Sequence, residues 1–177
     1  MAEDFAYIGT ELELFAQAQN WKRYFHAQLQ PMITGDVLEV GAGLGGTTTV
    51  FQSDAFTTWT CLEPDAQLLA PLEQRVAQAP QPKRFRYQAG TLGDLPAAER
   101  YDAILYIDVL EHIAEDGEEV ARASERLKPG GRLIVLSPAY PWLFSPFDAH
   151  IGHHRRYTLG ALKRLTPAGC RVERGFY

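Results

Sequence analysis

Residues 36–46 read DVLEVGAGLGG. A short apolar run carrying one acid, Glu39, leads into four glycines between Gly41 and Gly46. Glycine costs backbone entropy on folding. A strand that empties into such a turn therefore predicts a place where a ligand comes close to bare backbone.

Strand-like and helix-like stretches alternate on either side of this turn. Upstream, Leu14, Ala18, Trp21, Phe25, Leu29 and Met32 recur at helical spacing, which predicts a helix over 11–33 with Trp21 on its core face. Downstream, TTTVFQ predicts a helix, and FTTWTCLE (56–63) a second strand. Leu72 and Val76 mark the next helix, placed at 70–79 because Pro71 would break one starting at Asp65. KRFRYQA (83–89) and YDAILYID (101–108) read as strands three and four. Val120, Ala123 and Leu127 then predict a helix stopped by the Pro-Gly-Gly at 129–131, followed by strand five, GRLIVLSP at 131–138. A helix over 158–168 and a last strand, CRVERGFY (170–177), close the chain. This order predicts an α/β protein, doubly wound, with a mainly parallel sheet and helices on both faces. In such sheets ligands sit at the carboxyl ends of the strands, where the glycine turn lies.

The expected organisation is a single domain over 1–177. It comprises a helical segment (1–34), a cofactor-binding core (35–138), a substrate loop (139–158) and a closing helix and strand (159–177). The net charge of −5 gives no global attraction to nucleic acid, although the stretch from His150 onward carries six basic residues and one acid. The two cysteines, Cys61 and Cys170, lie in strand-like runs and read as small buried residues, not as a disulfide framework. The acidic beginning MAEDFAYIGTELELF is unlike a signal peptide, and no run of 18 apolar residues occurs. A cytoplasmic, membrane-free protein is the expectation.

Two cofactor classes use such a turn. Gly41, Gly43 and Gly46 fit G-x-G-x-x-G, with Glu63 placed for a ribose, which is the dinucleotide reading. Glu39, Gly41, Gly43 and Gly45 fit E-x-G-x-G-x-G, the S-adenosylmethionine reading. Pyrophosphate is anionic and wants amides around it. S-adenosylmethionine carries an ammonium and a sulfonium, so an acid just ahead of the glycines favours it.

LEVGAGLGG, CLEPD (61–65), AGTLGDLP (89–96), YDAILYIDVLEHI (101–113) and LKPGGRLIVLSP (127–138) together resemble the motifs of the class I S-adenosylmethionine-dependent methyltransferases, in the family's order. The resemblance spans about residues 34–138 and implies a Rossmann-like fold. It implies that Gly41, Ala42, Gly43 and Gly45 line the methionine part, with Glu39 near its ammonium. Glu63 would hold the ribose hydroxyls, Pro64 would pack on the adenine, and Thr91 and Leu92 would flank it. Asp108 would stand near the methyl. Thr91 occupies the place of the usual acid of the third loop.

His112, Asp108 and His150 are the catalytic candidates, with His112 as a general base. Tyr140, His153, His154, Arg155 and Arg156 are the acceptor-binding candidates, the arginines gripping a phosphate or carboxylate. The His150, His153 and His154 spacing with Asp148 nearby admits a metal, but a polar substrate loop is the preferred reading and no metal is expected. Tyr7 is a lid candidate, and Trp21, Lys22 and Tyr24 are candidates for covering the cofactor. The family's sheet normally ends with a sixth strand and an antiparallel seventh, and this chain offers a single candidate for them, CRVERGFY. That points to a homodimer partner covering the sheet edge, or to a shortened chain. The expected function is methyl transfer from S-adenosylmethionine, yielding S-adenosylhomocysteine, to an oxygen or nitrogen of a small-molecule or carrier-linked acceptor, glycan- and lipid-linked ones included. An NAD(P)-dependent oxidoreductase and an inactive cofactor-binding regulator are the rivals.

Overall fold

The computed structural model describes residues 18–51 and 56–177. The Leu14 end of the first stripe and Tyr7 lie outside the described residues. Five strands form one sheet: β1 (Gly35–Val40), β2 (Phe56–Glu63), β3 (Phe85–Ala89), β4 (Tyr101–Ile107) and β5 (Leu127–Leu136). Every pairing is parallel, in the order β3-β2-β1-β4-β5. The order reverses between β1 and β4, so the crevice of a doubly wound sheet opens beyond Val40 and Ile107.

Side-chain alternation along the strands sends one set of apolar groups to each face. Val37, Trp59, Cys61, Ala103 and Leu105 face one layer, with α1 (Gln19–Leu29) and α2 (Ala66–Val76) supplying Phe25, Leu29, Leu72 and Val76. Leu38, Leu62, Ile104 and Tyr106 face the other, covered by Val120 and Ala123 of α3 (Asp116–Glu125). Two short helices, α4 (Pro146–His150) and α5 (Leu159–Arg164), follow β5.

Several elements depart from the sequence expectations. Pro71 lies inside α2, which begins at Ala66 because Asp65 accepts a capping bond from the Gln67 N–H at 2.9 Å. Pro71 sits on the exposed side of the helix, while Leu72 and Val76 are fully buried. After the glycine turn the chain makes only a 3-10 turn, Thr48–Phe51. Its hydroxyls are engaged locally: Thr48 Oγ1 donates to Glu39 and Thr49 Oγ1 to the Gly45 carbonyl. Trp21 is 46% exposed and stacks on Tyr24, whereas Lys22 takes the buried place beside Phe25.

Residues 170–177 form no strand. They are exposed and tied down by side chains: Glu173 to Arg132 at 3.0 Å, Arg174 to Gln28 at 2.7 Å, and the Tyr177 hydroxyl accepting from the Leu159 N–H at 2.9 Å. Cys61 is buried as expected, but Cys170 is exposed. No described helix is long and apolar enough to cross a membrane.

Candidate active site

The glycine turn is built for close approach. Gly41, Gly43 and Gly45 adopt φ of 69°, 54° and 73°, a region that side-chain-bearing residues rarely enter. A Cβ on Gly41 would fall 2.6 Å from a Val109 methyl. The turn is therefore pressed against the end of β4. Ala42 is buried, its N–H and that of Gly41 donating to the Leu62 carbonyl. Lys22 closes the turn from α1, its Nζ donating to the Gly46 carbonyl at 2.8 Å. In sequence Lys22 is a candidate for covering the cofactor from outside; here its Nζ is engaged with the turn's own backbone.

The acids around the turn have separate tasks. Glu63, at the end of β2, accepts from the Gly43 N–H at 2.7 Å and from the Asp65 N–H at 3.0 Å. Burial lifts its carboxyl above the ordinary range, against the pull of those two bonds. Each oxygen keeps a lone pair for a hydroxyl, so the residue fits a ribose diol. Glu39 is different. It is only 2% exposed and lies beneath the turn, where its Oε2 accepts from Thr48 Oγ1 at 2.7 Å and Trp59 Nε1 at 2.8 Å. Burial pushes it up to about 7. Both of these hydrogen bonds fall on Oε2, so that oxygen braces the turn from within.

Pro64 is half-buried, and Thr91 is exposed with its N–H and hydroxyl both donating to Asp94. The Leu92 side chain is buried in the core beside Leu62 and Leu95 and supports the third loop from below. Asp108 follows β4 with φ 54°, one of two described non-glycine residues at positive φ. Its side chain is open to solvent, yet protein crowds it closely enough to push its carboxyl up to about 6. Such strain is costly and concentrates at functional sites.

The loop after β5 lies over the end of β4. The His154 N–H donates to the Glu111 carbonyl at 2.8 Å, and a Cβ added at Gly152 would lie 3.7 Å from His112 Nδ1. His112 packs edge-on against His153, ring centres 4.5 Å apart. Glu111 is wholly buried and raised to about 8, by burial first and then by the charge of Asp108. Arg155 and Arg156 are both engaged by acids of the chain itself. Arg155 pairs with Asp116 at 2.6 Å, and Arg156 grips Asp148 through two bonds. His150 and His154 are exposed, and among the described residues they join no cluster with His153. Tyr140 is exposed at φ 63° and stacks on Tyr177. A cleft of about 290 Å³ lined by Lys22, His26, Thr49 and Arg75 touches the turn only at Gly46 and none of the strand-end acids.

Comparison with known proteins bears on the family and the fold. A family model described as "Methyltransferase domain" matches residues 38–133. Demethylmenaquinone methyltransferase from Tropheryma whipplei is 34% identical over 166 residues, 90% of this chain and 65% of that protein. The chain thus spans just under two thirds of the length of this relative. Among solved structures, the glycopeptide N-methyltransferase MtfA with S-adenosyl-L-methionine aligns with a TM-score of 0.57 at 25% identity, covering 71% of this chain and 57% of that one. The YcgJ protein from Bacillus subtilis aligns with a TM-score of 0.66 at 20% identity, covering 83% and 66%. The chain belongs to the class I S-adenosylmethionine-dependent methyltransferase family.

Proposed function

We propose that this chain transfers the sulfonium methyl of S-adenosylmethionine to an oxygen or nitrogen of a small-molecule or carrier-linked acceptor. The observation that carries the reading is the closed relationship between turn and strand ends. Glu63 holds the Gly43 N–H, and the Gly41 backbone abuts Val109, next to Asp108. The cofactor brings its own leaving group, so the protein need only position the partners and shape the field. Asp108, with its raised carboxyl at the strand end, is the group suited to taking a proton from the acceptor.

The loop over 139–158 supports an apolar or ring-bearing acceptor. Tyr140, Trp142, Phe144 and Phe147 are all exposed there, Trp142 at 78%. Exposed aromatics gathered on one loop are an unusual surface for a ligand-free purpose. The likeness to a demethylmenaquinone methyltransferase makes a quinone-type ring the first acceptor to try, with its ring carbon as the rival to oxygen and nitrogen.

Calorimetric titration with S-adenosylhomocysteine, with NAD as control, tests the cofactor reading. Micromolar binding of the former, weakened at least tenfold by Glu63→Ala, is expected. Binding of NAD alone, or of neither, overturns it. Transfer of labelled methyl from S-adenosylmethionine to quinols, phenols and amines, with the product's new bond assigned by mass spectrometry, then tests the acceptor class. Methylation at a ring carbon would overturn the oxygen or nitrogen assignment, and binding without any turnover would favour the regulator.

A further inference from the structure

We propose that Glu111, His112 and His153 bind a divalent first-row transition ion, Zn²⁺ being the reference case. Each residue offers a ligand atom, and the three atoms all lie within 4.8 Å of one another. Glu111 and His112 are neighbours on the short 3-10 turn Leu110–His112 that follows β4. His153 is brought to them by the loop that folds back over that turn.

The carboxylate is the telling group. Glu111 is 0% exposed, and neither of its oxygens has a hydrogen-bond partner of good geometry; the Ser137 hydroxyl nearby is equally unsatisfied. Buried polar atoms are rarely left so, and besides the Ser137 hydroxyl a cation is the partner that would satisfy both oxygens. His153 Nε2 lies 3.9 Å from Glu111 Oε1, too far for a hydrogen bond and close to the separation of two ligands on one ion. With metal–ligand bonds of about 2.0–2.2 Å in a tetrahedron, that separation would close to roughly 3.4 Å.

The surroundings match an outer ligand shell. His153 Nδ1 lies 3.1 Å from Asp148 Oδ1, which directs the opposite nitrogen at Glu111. Asp148 is itself immobilised: Arg156 donates to both its oxygens, and the Ser145 N–H and hydroxyl donate to Oδ2. A carboxylate that orients a histidine toward a metal is the usual partner of such ligands. Two imidazoles and one carboxylate suit zinc, cobalt, iron or manganese better than calcium or magnesium, which prefer oxygen alone. Three protein ligands leave a position open. If the methyl-transfer reading holds, an ion there would act as a Lewis acid on an acceptor oxygen. Metal binding itself does not rest on that reading.

The test uses tag-free full-length chain, stripped with chelator and then titrated with Co²⁺ and Zn²⁺ in the absence of cofactor. One ion per chain is expected, with the visible absorption of four- or five-coordinate Co²⁺ that Zn²⁺ displaces. Glu111→Gln and His153→Ala should each abolish tight binding. Asp148→Asn, which keeps all three ligands, should weaken it about 10- to 100-fold. His150→Ala and His154→Ala should leave it unchanged. Cooperative melting and retained S-adenosylhomocysteine binding check that each variant is folded. Proton NMR of the unmutated chain needs no variant: Co²⁺ should give the ring protons of His112 and His153 the large contact shifts of ligated imidazole, and those of His150 and His154 only smaller through-space shifts. Failure to bind Co²⁺ or Zn²⁺ stoichiometrically, or shifts confined to His150 and His154, overturns the site.

Discussion

Arg156 holds Asp148 in a fork: Nε lies 2.7 Å from Oδ1 and Nη2 lies 3.0 Å from Oδ2. The Asp148 side chain is almost fully enclosed, and the Arg156 side chain largely so. Burial alone would raise the Asp148 carboxyl, but Arg156, Ser145 and His153 together draw it well below the usual carboxylate range.

Removing the arginine leaves that carboxylate buried without its cation. Arg156→Ala should cost about 3 kcal/mol of stability, read as a lowered urea midpoint. Arg156→Lys should fall between, since an ammonium cannot reproduce the fork. A loss below about 1 kcal/mol would show that the pair behaves as a surface ion pair. Because the folded carboxyl is depressed, its contribution should be fully present above the ordinary aspartate range near pH 4 and be lost as pH falls below it.

Glu39 should give the opposite slope. Its carboxyl is raised by burial to about 7 in the folded chain, from an ordinary 4.5. Between those values the folded state binds more protons than the unfolded state, so stability should fall as pH rises. The change should be on the order of 3 kcal/mol between pH 4.5 and 7.5. Glu39→Gln keeps an acceptor for Thr48 and Trp59 and should flatten the slope. Urea denaturation at several pH values decides it, and an unchanged slope in the variant would assign the dependence elsewhere.

Gly41→Ala should damage both fold and site. The residue stands at φ 69°, and the new methyl would meet Val109 at 2.6 Å. The backbone term alone is roughly 1–2 kcal/mol, and the clash adds to it. A lower melting temperature together with weaker S-adenosylhomocysteine binding is expected. Normal affinity in a destabilised variant would mean that the ligand does not use this backbone.

Lys22 offers a milder probe of the same turn. Lys22→Met keeps most of the stem but removes the donor to the Gly46 carbonyl. The loss should be about 1–2 kcal/mol, with cofactor affinity reduced several-fold. Tryptophan emission during denaturation reports the first, and calorimetry the second.

The alternation of strands and helices, the glycine turn and the acid at Glu63 were all legible in the chain. Period-two and helical patterns, and glycines after a strand, are local records of backbone geometry. The same local logic failed where a distant partner decides. Pro71 reads as a breaker, yet it is carried inside α2 by the Asp65 cap and the burial of Leu72 and Val76. CRVERGFY alternates like a strand but finds no strand to pair with, and its charges go to Arg132 and Gln28 instead.

The site shows the same division. Arg155 and Arg156 look in sequence like a grip for an anionic ligand, because a basic pair announces charge and not its target. Folding assigns them to Asp116 and Asp148. Glu111 and His153 stand far apart in the chain, and no spacing rule joins them. Only the return of the loop over the end of β4 sets His153 Nε2 near the buried Glu111 carboxylate. The sequence by itself determined the sheet, its direction and the bare backbone for a cofactor, since these follow from periodicity and backbone freedom. Tertiary structure alone decided which charges are spent inside the protein and which remain for chemistry, because burial and pairing arise only when separate segments meet.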